Sequence, residues 1–313
     1  MKHGAERFEF YLKKLDDLFT QAGSQSDPAA WLYQNGARTP LFMLEGLARL
    51  YSNLQDKKSF EKVEQKAKSL EDALGVIDYY DGFAKQFATD KTLPDGVLTF
   101  TQKRVAESTA TLNELLKDKE WLGADSKQMR KIRKRLDEVD WLDDKKEVKA
   151  IEHYYSDEIK SIDKFAAKYR SGFTELESQV HELRRKVRWL SIFPQALQGV
   201  VQLTDTPSND PTLAKYLTPD ITGSPFNKMP PAGTNEYTLV LNRDNFYALS
   251  WMIAELGKLK DQGLRSDLLG ESGHESDADR ADETEVLKQS SAITNTYFKE
   301  QSLDHLVNGI NHL

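Results

Sequence analysis

Residues 180–193 read VHELRRKVRWLSIF. At about 100° per residue, with His181 as zero, Arg184 falls near 300°, Arg185 near 40° and Arg188 near 340°. Val180, Leu183, Val187 and Leu190 gather between about 180° and 260°. The stretch is therefore an amphipathic helix with one face to bury and an adjoining face that carries a histidine and three arginines. Like charges stacked along one helical stripe repel by roughly a few tenths of a kcal/mol per pair. Carboxylates on a neighbouring helix offset that, and so does a bound anion. Arginine suits the second role because its planar fork takes two phosphate oxygens at once.

The same periodicity runs outward through the chain. Residues 5–20 repeat apolar side chains at helical spacing (Phe8, Tyr11, Leu12, Leu15, Leu18, Phe19). Thr39-Pro40 reads as an N-cap with proline at the first helical position, opening a helix to about Leu54 and leaving Arg38 just outside it. Further helices are predicted at 59–74, 77–88, 98–118, 127–140, 146–169, 173–200, 238–260 and 285–310, while YTLVL at 237–241 is the best strand candidate. The fold class expected is all-α. A Gly/Pro/Asn/Thr-rich excursion over about 204–236 and an acidic loop over about 266–286 interrupt it. Two stretches, LEDALGVIDYYD and MIAELGKLKDQG, each carry a Leu-Gly pair followed by aspartate. Arg38 precedes Gly75 by 37 residues and His181 precedes Gly257 by 76, a difference that matches the excursion and its flanks. That spacing is consistent with two related helical halves, residues 1–140 and 141–313, the second carrying an insertion.

Charge narrows the functional classes. The chain of 313 residues has 43 Lys and Arg against 50 Asp and Glu, a net charge of −7. Residues 266–286 hold eight acids and one arginine, so that segment accounts for all of it. The remainder is formally neutral and free to carry a basic patch. A second basic stretch, KQMRKIRKRL at 127–136, places Lys127, Arg130, Lys131 and Lys134 on one face, opposite Met129, Ile132 and Leu136. Acids follow it at once, and no helix-turn-helix spacing or zinc finger accompanies it, which disfavours nucleic acid. The chain has no cysteine, which excludes disulfides and thiol chemistry, and a cytoplasmic location is the expectation. No apolar run reaches membrane-spanning length. P-loop, G-x-S-x-G, H-E-x-x-H and dinucleotide fingerprints are missing, so no enzymatic activity and no cofactor are expected. ETEVLK at 283–288 is a chance approach to a Glu-x-Glu-x-Lys strand, and His153, His274, His305 and His312 lack the spacing of a metal site.

The helix VHELRRKVRWL resembles the signature helix of the conserved-histidine α-helical domain, the CHAD family. His181, Arg184 and Arg188 match its histidine, the arginine three later and the basic residue seven later; Trp189 and Ser191 stand at the two remaining basic places. LGKLKD, with Gly257 and Asp261, fits the ending of a family half, and Gly75 with Asp81 is similar to the Leu-Gly…Asp-x-Asp version. The resemblance covers roughly residues 30–265. It implies two pseudo-symmetric helical-bundle halves around a basic groove that binds inorganic polyphosphate. It also implies phosphate-contacting roles for His181, Arg184 and Arg188, to which helical phase adds Arg185, Lys127, Arg130, Lys131 and Lys134. Aligned with His181, the first half shows Arg38, Leu41 and Glu45, so only Arg38 keeps a cation there. A histidine changes charge in the physiological range, so affinity is expected to rise as pH falls towards about 6. The alternative expectation is a diverged scaffold in which the arginine stripe pairs with intramolecular carboxylates and a protein partner docks on one of the long loops.

Overall fold

The computed structural model describes residues 2–274 and 277–313 and is mostly helical. It divides into two compact units, Met1–Leu142 and Asp143–Leu313.

In the first unit, helix α1 (His3–Ala22) buries the predicted Phe8, Tyr11, Leu12, Leu15 and Phe19. Asp27 caps α2 (Pro28–Gln34) by accepting from the amide of Ala30, with Pro28 at the first helical position. Helix α3 (Arg38–Leu54) begins earlier than expected. Arg38, Thr39 and Pro40 form its first turn, where proline's missing N–H costs nothing, so Arg38 lies on the helix and Thr39 is not its cap. Helix α4 (Lys57–Phe87), capped by Asp56, merges two predicted helices into one that runs through Gly75 without a break. Helices α5 (Asp95–Asp118) and α6 (Lys127–Asp137) follow. Met129, Ile132 and Leu136 of α6 are buried as their spacing demands, each worth about 1.5–3 kcal/mol of hydrophobic transfer. Phe8, Tyr51, Phe60 and Trp141 close the core with ring centroids 5.3–5.7 Å apart.

In the second unit, α7 (Asp144–Lys168) buries Val148, Ile151, Tyr155, Ile159 and Ile162 along one stripe, and the Tyr155 hydroxyl donates to the Leu190 carbonyl at 3.0 Å. A π-helical turn, Leu176–His181, leads directly into α8 (Glu182–Ala196). The segment YTLVL, the best strand candidate, is a strand, although the helix expected over 238–260 overlapped it. It is β2 (Tyr237–Leu241), the middle of a small sheet, parallel to β1 (Val201–Leu203) and antiparallel to β3 (Val307–His312).

Parallel neighbours require a long crossover, and the excursion over 204–236 provides most of it. It is ordered by short turns of helix, among them α9 (Pro219–Thr222), and by buried Leu213, Tyr216 and Ile221. Its Asn227 is buried too, donating to the Ile221 carbonyl and accepting from Ser250. Between α8 and β1, Gly199 has φ +98°, and a Cβ there would lie 2.1 Å from the carbonyl oxygen of Pro231 in the crossover. Only glycine fits both the backbone and the space.

The acidic segment 266–286 is not the loop that its composition suggested. Its first residues complete α10 (Arg243–Glu271), and from Asp277 it forms α11 (Asp277–Glu300); Glu275 and Ser276 lie outside the described residues. Segregation of charge along the sequence is no bar to helix, and the described Asp267, Glu271, Asp282 and Glu285 are exposed. The predicted helix 238–260 is β2 followed by α10, and the predicted helix 285–310 stops at Glu300 before β3.

Candidate functional site

The basic helix of the second unit is held by its neighbours in a specific way. Helix α8 packs on α10, and the half-buried Arg184 lays its guanidinium over Gly257. There a Cβ would come within 3.0 Å of one terminal nitrogen and 3.1 Å of Nε. Nε donates to the Ile253 carbonyl at 3.2 Å. Burial holds the Arg184 guanidinium below its ordinary pKa, against the pull of Asp261. The Leu-Gly pair thus has a physical meaning: glycine makes room for an arginine.

The first unit contains the same device. Arg38 of α3 lies over Gly75 of α4, where a Cβ would meet its terminal nitrogen at 3.0 Å. Its Nε donates to Glu71 at 2.8 Å and a terminal nitrogen to Asp78 at 2.6 Å. By this relation Arg38 corresponds to Arg184, three residues after the His181 with which the sequence alignment paired it. The two devices differ in charge. Four residues before the glycine stands Glu71 in one unit and Ile253 in the other; three residues after it stand Asp78 and Lys260. Arg38 is neutralised twice over, whereas Arg184 meets a backbone carbonyl and a lysine. The other acid of that region, Asp81, accepts from Tyr33 at 2.7 Å and pairs with Lys85.

The rest of the α8 stripe is interleaved with acids. His181 Nδ1 lies 2.7 Å from Glu177, and exposed Arg185 pairs with Glu182, which also takes Lys186 at 3.7 Å. Lys260 is lowered from its ordinary pKa by burial, with Arg184 and Arg188 adding to the effect and Asp261 and Glu177 opposing it. Arg184, Arg188 and Lys260 therefore form a small cationic group with carboxylates on its margin.

Helix α6 of the first unit sorts its cations into three kinds. Arg133 binds Glu9 through two nitrogens at 3.1 Å and Asp16 at 2.6 Å, tying α6 to α1. Lys127 pairs with Glu120, and Arg130 reaches the carbonyl of Asp125 at 2.6 Å and its carboxylate at 3.5 Å. Lys131, Lys134 and Arg135 have no carboxylate in ion-pairing range among the described residues. Of these, Lys131 and Arg135, four residues apart, bear on Lys66 of α4.

The ammonium of Lys66 donates to Gln128 Oε1, while Gln128 Nε2 donates to the Lys119 carbonyl at 2.5 Å. Gln128 is itself buried, so it fixes where the ammonium sits. Lys66 is held below its ordinary pKa by burial first, then by Lys131, Arg135, Lys119 and Lys62 in turn. Elsewhere in the same unit cations sit beside acids, as in Arg49–Glu64, Lys68–Asp72 and Lys103–Glu107. Five cations drawn from α4, the end of α5 and α6 thus share one positive field, with no carboxylate in ion-pairing range among the described residues.

The sequence pointed to Lys131 in this group and to none of its partners. Lys62 and Lys66 lie four apart in EKVEQKAK, where Glu61 and Glu64 mask them. Lys119 sits at a helix end with acids on both sides. Tertiary packing of α4 against α6 separates these lysines from their sequence neighbours.

Two of the histidines set aside from metal binding have local partners. His153 is exposed beside Asp157 at 3.2 Å, and His312 stacks on Tyr237 at 4.6 Å. Among the described residues no group of three or more His, Asp or Glu is placed to hold a metal ion, and no helix is long and apolar enough to cross a membrane. ETEVLK falls within α11. No protein-family model matches the chain, and no curated protein or solved structure matches it either.

Proposed function

We propose that the protein binds a phosphate-rich oligoanion of the inorganic polyphosphate type, without catalysing a reaction on it. The Lys62, Lys66, Lys119, Lys131 and Arg135 group would be the principal contact. The observation that carries this reading is the Lys66 cluster itself: five cations with no carboxylate in ion-pairing range among the described residues, in a chain with more acids than bases. Such a group is self-repulsive until an anion of several charges occupies it. Arginine then supplies paired hydrogen bonds, lysine supplies point charge, and the buried Gln128 keeps one ammonium in place. Arg184, Arg188 and Lys260 offer a second, weaker contact of the same chemistry. The reading agrees with what the CHAD resemblance implies about ligand class, and a cysteine-free chain suits a cytoplasmic location.

The test is a titration of the purified protein with long-chain polyphosphate at low and high salt. Beside wild type stand the triple variant Lys66→Gln/Lys131→Gln/Arg135→Gln and the double variant Arg184→Ala/Arg188→Ala. Tight binding at low salt that weakens as salt rises, and falls at least tenfold in the triple variant, supports the reading. No binding to wild type at low salt refutes it.

A second reading, an interaction scaffold that binds no oligoanion, is favoured by one observation. His181 and Arg185 are already engaged by Glu177 and Glu182 on their own helical segment. On that reading the stripe is structural, and both sets of variants behave like wild type.

A further inference from the structure

The second unit contains a crevice of about 900 Å³ where the C-terminal half of α7 meets the end of α11. Its wall includes Asp163 of α7 and Thr294 and Phe298 of α11. The half-buried Asp163 carboxylate has no hydrogen bond and no ion pair among the described residues. Burial pushes its pKa up, and Asp304 pushes it further; no cation opposes them. Thr294 is 3% exposed, and its hydroxyl lacks a partner. A helical threonine ordinarily returns that hydroxyl to the carbonyl one turn back, as Ser291 does to Leu287, so an idle one in a cavity wall is unusual. Phe298 adds an aromatic ring.

An uncompensated carboxylate, an idle hydroxyl acceptor and a ring are the groups that receive an ammonium. It brings three N–H donors and a compact charge, which a carboxylate pairs and an aromatic face attracts. Arg170 and Lys299, both exposed, line the same crevice without ion pairs of their own among the described residues. They are placed to meet an anionic group on the same molecule. We propose that this crevice binds a small molecule through a primary ammonium seated between Asp163, Thr294 and Phe298. The site is separate from the Lys66 and Arg184 groups and does not depend on the polyphosphate reading.

The experiment is isothermal titration of the full chain with 4-aminobutyrate, lysine and putrescine, each to about 10 mM, with circular dichroism to confirm folding of every variant. Saturable binding of at least one probe, weakened tenfold or more by Asp163→Asn and several-fold by the isosteric Thr294→Val, supports the proposal. A preference for the amino acids that Arg170→Gln removes assigns the ligand as a zwitterion. A preference for putrescine untouched by Arg170→Gln assigns it as a simple amine. Failure of all three probes, or binding that Asp163→Asn leaves unchanged in a folded protein, overturns the proposal.

Discussion

Replacing Glu45 with glutamine should change the stability of the first unit in a way that depends on pH. Glu45 lies on α3, is 3% exposed and leaves Oε2 without a partner. Burial raises its pKa from an ordinary 4.5 to about 7; Lys68 opposes the rise, and Glu71, Asp72 and Glu64 reinforce it. A carboxyl raised in the folded state stabilises nothing by ionising. Below about pH 4.5 both states hold the proton and there is no penalty. As pH climbs from there towards 7 the unfolded chain releases its proton while the folded one does not, and stability falls.

At about 1.4 kcal/mol per pKa unit, the loss between pH 5 and pH 8 comes to about 2–3 kcal/mol. Glu45→Gln keeps the volume and removes that dependence, although its amide still wants partners and costs about 1 kcal/mol at any pH. The variant should therefore be slightly less stable than wild type at pH 5 and about 1–2 kcal/mol more stable at pH 8. Urea unfolding of both proteins at the two pH values gives the comparison, since every other titrating group cancels. An equal difference at pH 5 and pH 8, within about 0.5 kcal/mol, would mean that the Glu45 carboxylate reaches water when charged, and the reasoning would fail.

Other outcomes follow from the same geometry. Gly257→Ala should cost about 1–2 kcal/mol, because Arg184 is anchored to the Ile253 carbonyl and cannot easily yield. Gly75→Ala should cost less, about 0–1 kcal/mol, because the Arg38 side chain is 41% exposed and its partner Asp78 51% exposed, so the pair can shift together while alanine adds helix propensity. Thermal melts of the two variants check the contrast, and equal costs would contradict it. Gly199→Ala must fit a Cβ at φ +98° against the Pro231 oxygen, so about 3 kcal/mol or more should be lost, or the chain should fail to fold.

What the sequence determined by itself was local. Helical periodicity located α1, α5, α6 and α7 and the buried face of α6, because the side chains that must leave water repeat every 3.6 residues whatever they pack against. The best strand candidate, YTLVL, is β2, although the helix expected over 238–260 overlapped it. Boundaries failed where two influences competed. Pro40 looked like a start but lies in a first turn that tolerates it, and Gly75 looked like a stop but lies inside α4. The acidic segment looked like a loop but is helix at both ends.

The site depended on packing. Lys66 meets Lys131 and Arg135 only because α4 lies against α6, and Gly257 is needed only because Arg184 crosses it. Charge acts through space and over several ångströms, whereas the sequence orders residues along the chain. The glutamates beside Lys62 and Lys66 in the sequence are not what those lysines face, and only the tertiary structure could decide that.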